Sequence, residues 1–207
     1  ILSSSRTKIE MELGLIDFVI ALSIGLGLAA ASGFRVFLPP MMMSGGINLG
    51  WIEPLGELSI LDGWTAFSIL AAAVVLEIGG YMIPWVDNLL DIVATPAAAI
   101  AGVLMMGSVM DDYDPMLQWT LSIVAGGSVA GTVQTGTVAI RALSLGTTGG
   151  LANPLISILE AMMAVFVTIL VILAPLLALL VVVFGLIYAA RAIEERREKK
   201  KVRNLVL

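Results

Sequence analysis

Long apolar runs, interrupted by few charges, constrain this chain more than any other feature of its sequence. Apolar residues make up 59% of its 207 residues and charged residues 13%, whereas soluble domains carry about 25% charged residues. Several runs exceed the roughly 18 consecutive apolar residues that indicate a membrane-spanning helix. Because backbone groups in hydrocarbon must be hydrogen-bonded within the chain, we expect an all-α, polytopic membrane helix bundle.

The apolar runs divide into six predicted spans. Pro39-Pro40 is expected to end the first, since proline lacks an N–H and crowds the preceding turn. The last stretch, 155–190, is split at Pro175, because a helix of that length would measure about 54 Å against a hydrocarbon core of about 30 Å. A single kinked helix with an interfacial first half is the alternative. The predicted spans are 12–32, 64–85, 89–110, 116–143, 155–173 and 175–190.

The charges outside the spans predict three parts and an orientation. Residues 1–11 form a polar segment expected to be unstructured (Met11 is an alternative natural start), 12–190 a single transmembrane domain, and 191–207 a basic tail. A basic tail belongs in the cytoplasm, and the loops after spans one and three carry acids without Lys or Arg. Six spans then place both termini in the cytoplasm.

Spans one and four share a pattern of small residues followed by an arginine. The small residues repeat every four positions, so they lie on one helix face and let two backbones approach closely. Three spans per half predict a 3+3 inverted repeat, as in many secondary transporters; the alternative is the general abundance of Gly and Ala in membrane helices. The matching positions are Gly25, Ala29, Gly33 and Arg35 in span one, and Gly127, Gly131, Thr135 and Arg141 in span four.

Acidic residues within or beside the apolar runs are the main functional signal. A charge at the centre of a span costs about 2.5–3.5 kcal/mol on insertion scales and often marks function. We expect Glu77 and Glu160 to face the bundle interior, where they bind a proton or cation or pair with Arg141. Asn153-Pro154 predicts a helix break whose freed carbonyls add polar groups. The predicted substrate- or ion-binding residues are Glu77, Asp87, Asn88, Asp91, Arg141, Asn153 and Glu160.

These candidates also have structural interpretations. Asp87 and Asn88 are of the types that cap a helix N-terminus, and a buried Glu–Arg pair can be purely structural. Arg35 falls at the outer end of span one. It is either a gate or anion contact, or a side chain that extends to lipid headgroups.

Missing residue types exclude several kinds of chemistry. The chain has no Cys and no His, so disulfides, thiolate chemistry and His-containing zinc sites are excluded. Carboxylates are the main catalytic groups left, and we therefore expect no enzymatic activity, no cofactor and no metal site. Nucleic-acid binding is not expected either, because basic residues are concentrated in the tail.

Three segments together resemble one known family. They read GLAAASGFRVFLPP, LEIGGYMIPWVDNLLDIV and GGLANPLISILE, the last followed by ILAPLLALL. They are similar to DUF4126, a family of small bacterial integral membrane proteins of unknown function, and the resemblance covers residues 14–180. It implies a multi-pass protein of the bacterial inner membrane and no particular substrate. Its motif positions are Gly33, Arg35, Pro39, Glu77, Pro84, Asp87, Asn88, Asp91, Asn153, Pro154 and Glu160.

The acids beside predicted helix breaks favour a small secondary transporter or channel-like permease, coupled to protons or another cation and acting on a small ion or solute. One alternative is a non-transporting subunit or scaffold, which would contact a membrane partner protein through its small-residue faces and anionic lipid through its tail. Another is a lipid-handling protein, which would have a groove open sideways to the bilayer. A lone homo-oligomer would favour the transporter over the subunit.

Overall fold

The computed structural model describes residues 2–53, 56–83 and 86–206, and these residues form an all-α structure, as predicted. A short 3₁₀ helix at Gly56–Leu61 accompanies the α-helices, and a π-helical stretch at Ser122–Gly127 interrupts the fifth of them. Pro84, one of the motif positions, lies outside the described residues. The helices are α1 (Leu2–Phe34), α2 (Leu38–Asn48), α3 (Trp64–Gly80), α4 (Val86–Val109), α5 (Pro115–Thr148), α6 (Asn153–Leu173) and α7 (Pro175–Val206).

Four of these helices are long and apolar enough to cross a membrane. They are the Glu12–Phe34 part of α1, α4, α5 and α6, which correspond to predicted spans one, three, four and five. The chain is therefore a multi-pass helical membrane protein. The helix α3 and the Pro175–Tyr188 part of α7 are shorter apolar helices, so the count of six spans stays a prediction.

The first part of the chain differs from the prediction in two ways. The helix α1 begins at Leu2, so the segment expected to be unstructured is helical. Pro39 and Pro40 lie in the first turn of a new helix, α2. Proline suits this position because the first turn has unused N–H groups and its fixed φ is helical. The sequence had suggested only an irregular continuation of span one after Phe34.

The small-residue face of α1 packs closely against α4 and α5. A Cβ placed on Gly25 would lie 2.9 Å from Met106 Cγ, and one on Gly33 would lie 2.6 Å from the carbonyl oxygen of Ala130. Met106 also lies beside Gly126. Position 25 of α1 is therefore level with position 126 of α5, and position 33 is close to position 130, so α1 and α5 run in the same direction. The predicted inverted repeat is wrong in this respect, because it requires spans one and four to be antiparallel.

The helices α6 and α7 form an antiparallel hairpin against α1. Val171 and Ala178 both lie beside Gly27, while Gly185 lines a cavity together with Phe34. It follows that α7 runs parallel to α1, and that the start of α1 and the end of α7 lie at opposite ends of the bundle. The expectation that both termini lie on one side of the membrane does not fit this arrangement.

The two ends of the bundle carry different charges. At one end, Phe18 packs edge-to-face on Tyr113, with ring centroids 5.4 Å apart, beside the acidic loop 111–114; we name it the aspartate end. At the other, Arg35 and Arg141 lie against the same tyrosine ring; we name it the arginine end. The six-span prediction had placed these two arginines on opposite sides of the membrane.

Candidate functional site

Arg35 is fully buried just beyond the end of α1. Its Nη2 donates to the backbone oxygen of Ser157 at 2.8 Å, to Ser157 Oγ at 2.6 Å and to Glu160 Oε2 at 3.2 Å. A buried charge is tolerated when it is paired and hydrogen-bonded, so these contacts fix the end of α1 against the start of α6. The headgroup interpretation of Arg35 is wrong, because protein encloses the side chain; its role as a gate stays a prediction.

Arg141, on α5, joins two further helices. Its Nη1 donates to Asp91 Oδ1 on α4, its Nη2 donates to Glu160 Oε2 on α6, and its side chain is 3% exposed. Glu160 thus accepts from both arginines through one oxygen. We name Arg35, Asp91, Arg141 and Glu160 the ionic network, which joins α1, α4, α5 and α6. The predicted pairing of Glu160 with Arg141 is confirmed.

Tyr81, which follows α3, packs against both guanidinium groups. Its ring centroid lies 4.5 Å from Arg35 Cζ and 3.9 Å from Arg141 Cζ, and the residue is 2% exposed. A desolvated cation over an aromatic ring is attracted by the ring quadrupole, so Tyr81 stabilises the two like charges side by side. Sequence reasoning missed this residue because it carries no charge. The available signal was its position four residues after Glu77, on the same helical face.

The carboxylate of Glu77 is buried, as expected, and contacts backbone groups between α1 and α2. Its Oε1 accepts from the backbone N–H of Val36 at 2.9 Å and its Oε2 from that of Phe37 at 3.3 Å. These N–H groups lie at the N-terminus of α2, where the helix dipole favours a negative charge. Glu77 thus stabilises the break between α1 and α2, and it makes no salt bridge with Arg141 among the described residues.

Asp87 and Asn153 connect the starts of α4 and α6. Asn153 Nδ2 donates to Asp87 Oδ2 at 2.5 Å, and Asp87 Oδ1 accepts from the backbone N–H of Asn88 at 2.8 Å. Asp87 lies in the first turn of α4, where the helix dipole also stabilises its negative charge. The structure therefore brings Asp87 and Asn153 together, while the side chain of Asn88 remains exposed.

A cavity of about 420 Å³ lies at the arginine end, next to Asp87 and Asn153. Its polar lining consists of Tyr81, Asp87, Asn88 and Asn153. The rest of the lining is Met82 together with apolar residues and two glycines of the segment 145–154. Tyr81 also touches both arginines of the ionic network. Tyr81 is therefore in contact with both the cavity and the network.

Several buried polar atoms at this end have no hydrogen-bond partner among the described residues. A buried donor or acceptor without a partner costs about 1–3 kcal/mol. These atoms include both donors and acceptors. The atoms are Arg35 Nε and Nη1, Arg141 Nε, Asn153 Oδ1 and Glu160 Oε1.

The fold and this site together define a class: a multi-pass α-helical membrane protein with a buried ionic network at one end of its bundle. Within that class, the chain belongs to the family described as Domain of unknown function (DUF4126), whose sequence pattern matches residues 22–195. The matched range contains every residue of the ionic network. Comparison with curated proteins and with solved structures finds no match.

Proposed function

We propose that the protein is a small secondary transporter or channel-like permease in which the ionic network binds a proton or another cation. One observation carries the proposal: buried carboxylates outnumber guanidinium groups at the arginine end. Four carboxylates (Glu77, Asp87, Asp91, Glu160) share this region with two arginines, and Asp91, the most accessible of these side chains, is 11% exposed. Uncompensated buried charge is costly, so a proton or cation that enters the region stabilises it.

The break between α1 and α2 supports the same function. It falls at Arg35, directly beside the network, and the backbone N–H groups of Val36 and Phe37 point at a carboxylate. Secondary transporters commonly build their ion and substrate sites at such discontinuous helices, because the free backbone groups supply polar contacts inside the membrane. The break puts irregular backbone beside the ionic network, which is consistent with the proposal.

Orientation follows from the basic tail. Residues 191–207 are rich in Lys and Arg, and such segments remain in the cytoplasm. We therefore propose that the arginine end faces the cytoplasm of a bacterial inner membrane and that the aspartate end faces the other side. The helix α2 begins just after Arg35 and α3 ends just before Tyr81, both at the arginine end, so the two together add no net crossing. With α7 as a fifth crossing, the start of α1 lies on the side opposite to the tail. This replaces the topology with both termini inside.

Reconstitution into liposomes tests this function. A membrane potential is imposed, and internal pH and cation content are followed with indicator dyes. We expect flux above that of protein-free vesicles, and near the protein-free level for Glu160→Gln, which keeps the side-chain shape but removes the charge. Asp112→Asn, at the exposed aspartate end, is the control and should conduct like the parent. Flux in the parent equal to that of empty vesicles would contradict the proposal.

A second candidate, lipid handling, is favoured by one specific observation. A groove of about 690 Å³ lies between α2, α3, α4 and the 3₁₀ helix. Its walls are largely apolar, and Ile60, Ile100 and Leu104 are 81%, 60% and 53% exposed, so it opens towards lipid. Native mass spectrometry tests this candidate: retained lipid that is lost in Ala101→Trp would favour it. A stoichiometric foreign chain after purification in mild detergent would instead favour a subunit of a larger complex.

A further inference from the structure

We propose that the cavity at the arginine end binds a small organic cation, an ammonium group joined to an apolar part. The charge of the lining carries the first step. Asp87 contributes a carboxylate, and no Lys or Arg lines the cavity among the described residues. An anion would therefore meet a like charge, whereas an ammonium group would meet an opposite one.

Hydrogen bonding carries the second step. A carboxylate only accepts hydrogen bonds, so Asn153 must turn its Nδ2 towards Asp87, at 2.5 Å. Its Oδ1 is then left as an acceptor, and this atom has no partner among the described residues although Asn153 is 4% exposed. Asn153, which lines the cavity, thus holds a buried acceptor beside the carboxylate of Asp87. A ligand with N–H donors completes both.

The remaining lining distinguishes an organic cation from a metal ion. A calcium site needs about six to eight oxygen ligands, and the described residues contain no group of three or more carboxylate or other metal-binding side chains suited to a metal ion. Met82, Leu145, Leu151 and Pro154 instead give the cavity apolar walls. Its volume of about 420 Å³ falls within the range of about 300–1,000 Å³ that is typical of small-molecule sites. An alkylammonium ion matches both kinds of wall.

This inference names the substrate class of the proposed transporter, and to that extent it rests on the proposed function. The connection is Tyr81, which lines the cavity and contacts both arginines of the ionic network. A cation bound beside this ring would lie next to the region with excess carboxylates. Binding itself can nevertheless be measured without any transport.

Calorimetry on the protein in lipid nanodiscs tests the binding site, with n-butylammonium as the probe and n-butanol as its neutral counterpart. We expect saturable binding of n-butylammonium alone. Asp87→Asn keeps an oxygen for the Asn88 N–H but removes the charge, and we expect about ten-fold weaker binding, equivalent to 1.4 kcal/mol. Asp114→Asn is the matched control, because Asp114 caps α5 through the N–H groups of Met116 and Leu117 at the opposite end.

A second variant covers the case in which Asp87→Asn does not fold. Leu145 lines the cavity and is 47% exposed, so Leu145→Trp should fill the space without disturbing the core, and it should also weaken binding. Equal binding of the amine and the alcohol, or unchanged amine binding in a folded variant, would overturn the proposal. Amine binding without flux would retain the cation site and contradict the transporter. Flux without amine binding would do the reverse.

Discussion

Arg35 Nη2 lies 3.2 Å from Glu160 Oε2, although 125 positions separate the two residues in the sequence. The contact connects the break after α1 to the first turns of α6, and both side chains are almost completely buried. Glu160 Oε2 also accepts from Arg141. A single carboxylate oxygen is therefore the point at which three helices meet.

Glu160→Ala should strongly destabilise the protein. The substitution removes the shared acceptor and leaves two buried guanidinium groups short of a partner. Breaking a buried ion pair from one side costs about 3–5 kcal/mol, whereas an exposed change such as Asp112→Asn should stay within about 0.5 kcal/mol. Thermal unfolding in detergent measures both. Equal midpoints would show that the network contributes little to stability.

The ring of Tyr81, more than its hydroxyl, should stabilise the two arginines. Tyr81→Phe keeps the aromatic face against both guanidinium groups and should have a small effect. Tyr81→Leu keeps an apolar side chain but loses the quadrupole, and we expect an additional cost of about 2 kcal/mol. Unfolding midpoints of the two variants give the comparison. A Phe variant as unstable as the Leu variant would point instead to the hydroxyl.

The contact between α4 and α5 should tolerate no side chain at Gly102. A Cβ there would lie 2.5 Å from the Ala130 Cβ and 2.6 Å from the carbonyl oxygen of Gly126, so Gly102→Ala should cost about 1–3 kcal/mol through overpacking. Gly136, also helical, has nothing within 4 Å of such a Cβ. Gly136→Ala should be neutral or stabilise by up to about 1 kcal/mol. Similar effects of the two substitutions would contradict the close helix packing.

Cysteine labelling should place the start of α1 on the same side as the loop 111–114. The chain has no cysteine, so single substitutions report one position each. We expect an impermeant maleimide to label Glu12→Cys and Asp112→Cys from one side of the membrane and Leu151→Cys from the other. The six-span topology instead groups Glu12 with Leu151. Labelling in intact and permeabilised cells distinguishes the two arrangements.

The residues of the site could be found from the sequence, because charged and amide side chains stand out among apolar runs. Glu160, Arg141, Asp91, Asp87 and Asn153 were all identified in this way, and the structure brings them to one end of the bundle. They lie together for a physical reason: a charged side chain in hydrocarbon is costly unless it has a partner. Cost alone, however, does not specify which partner each group finds.

The pairing of Arg35 with Glu160 could not be predicted, because it depends on where the first helix ends. Pro39-Pro40 is compatible with the end of one helix or the start of another. The first interpretation left Arg35 and Arg141 at opposite ends of the bundle, whereas the structure brings them to one end. For Glu77 the sequence offered proton or cation binding or a pair with Arg141, and its contacts with the N–H groups that begin α2 were not foreseen. Tyr81 was missed because an aromatic residue in a membrane protein carries no comparable signal.

The sharing of Glu160 has a consequence for how the bundle responds to its surroundings. Arg35 and Arg141 compete for one oxygen, while the other oxygen of the same carboxylate has no partner among the described residues. Binding of a proton, an ion or a solute to this one carboxylate would alter the contacts between three helices at once. A change at one carboxylate oxygen would thereby become a change in the packing of whole helices.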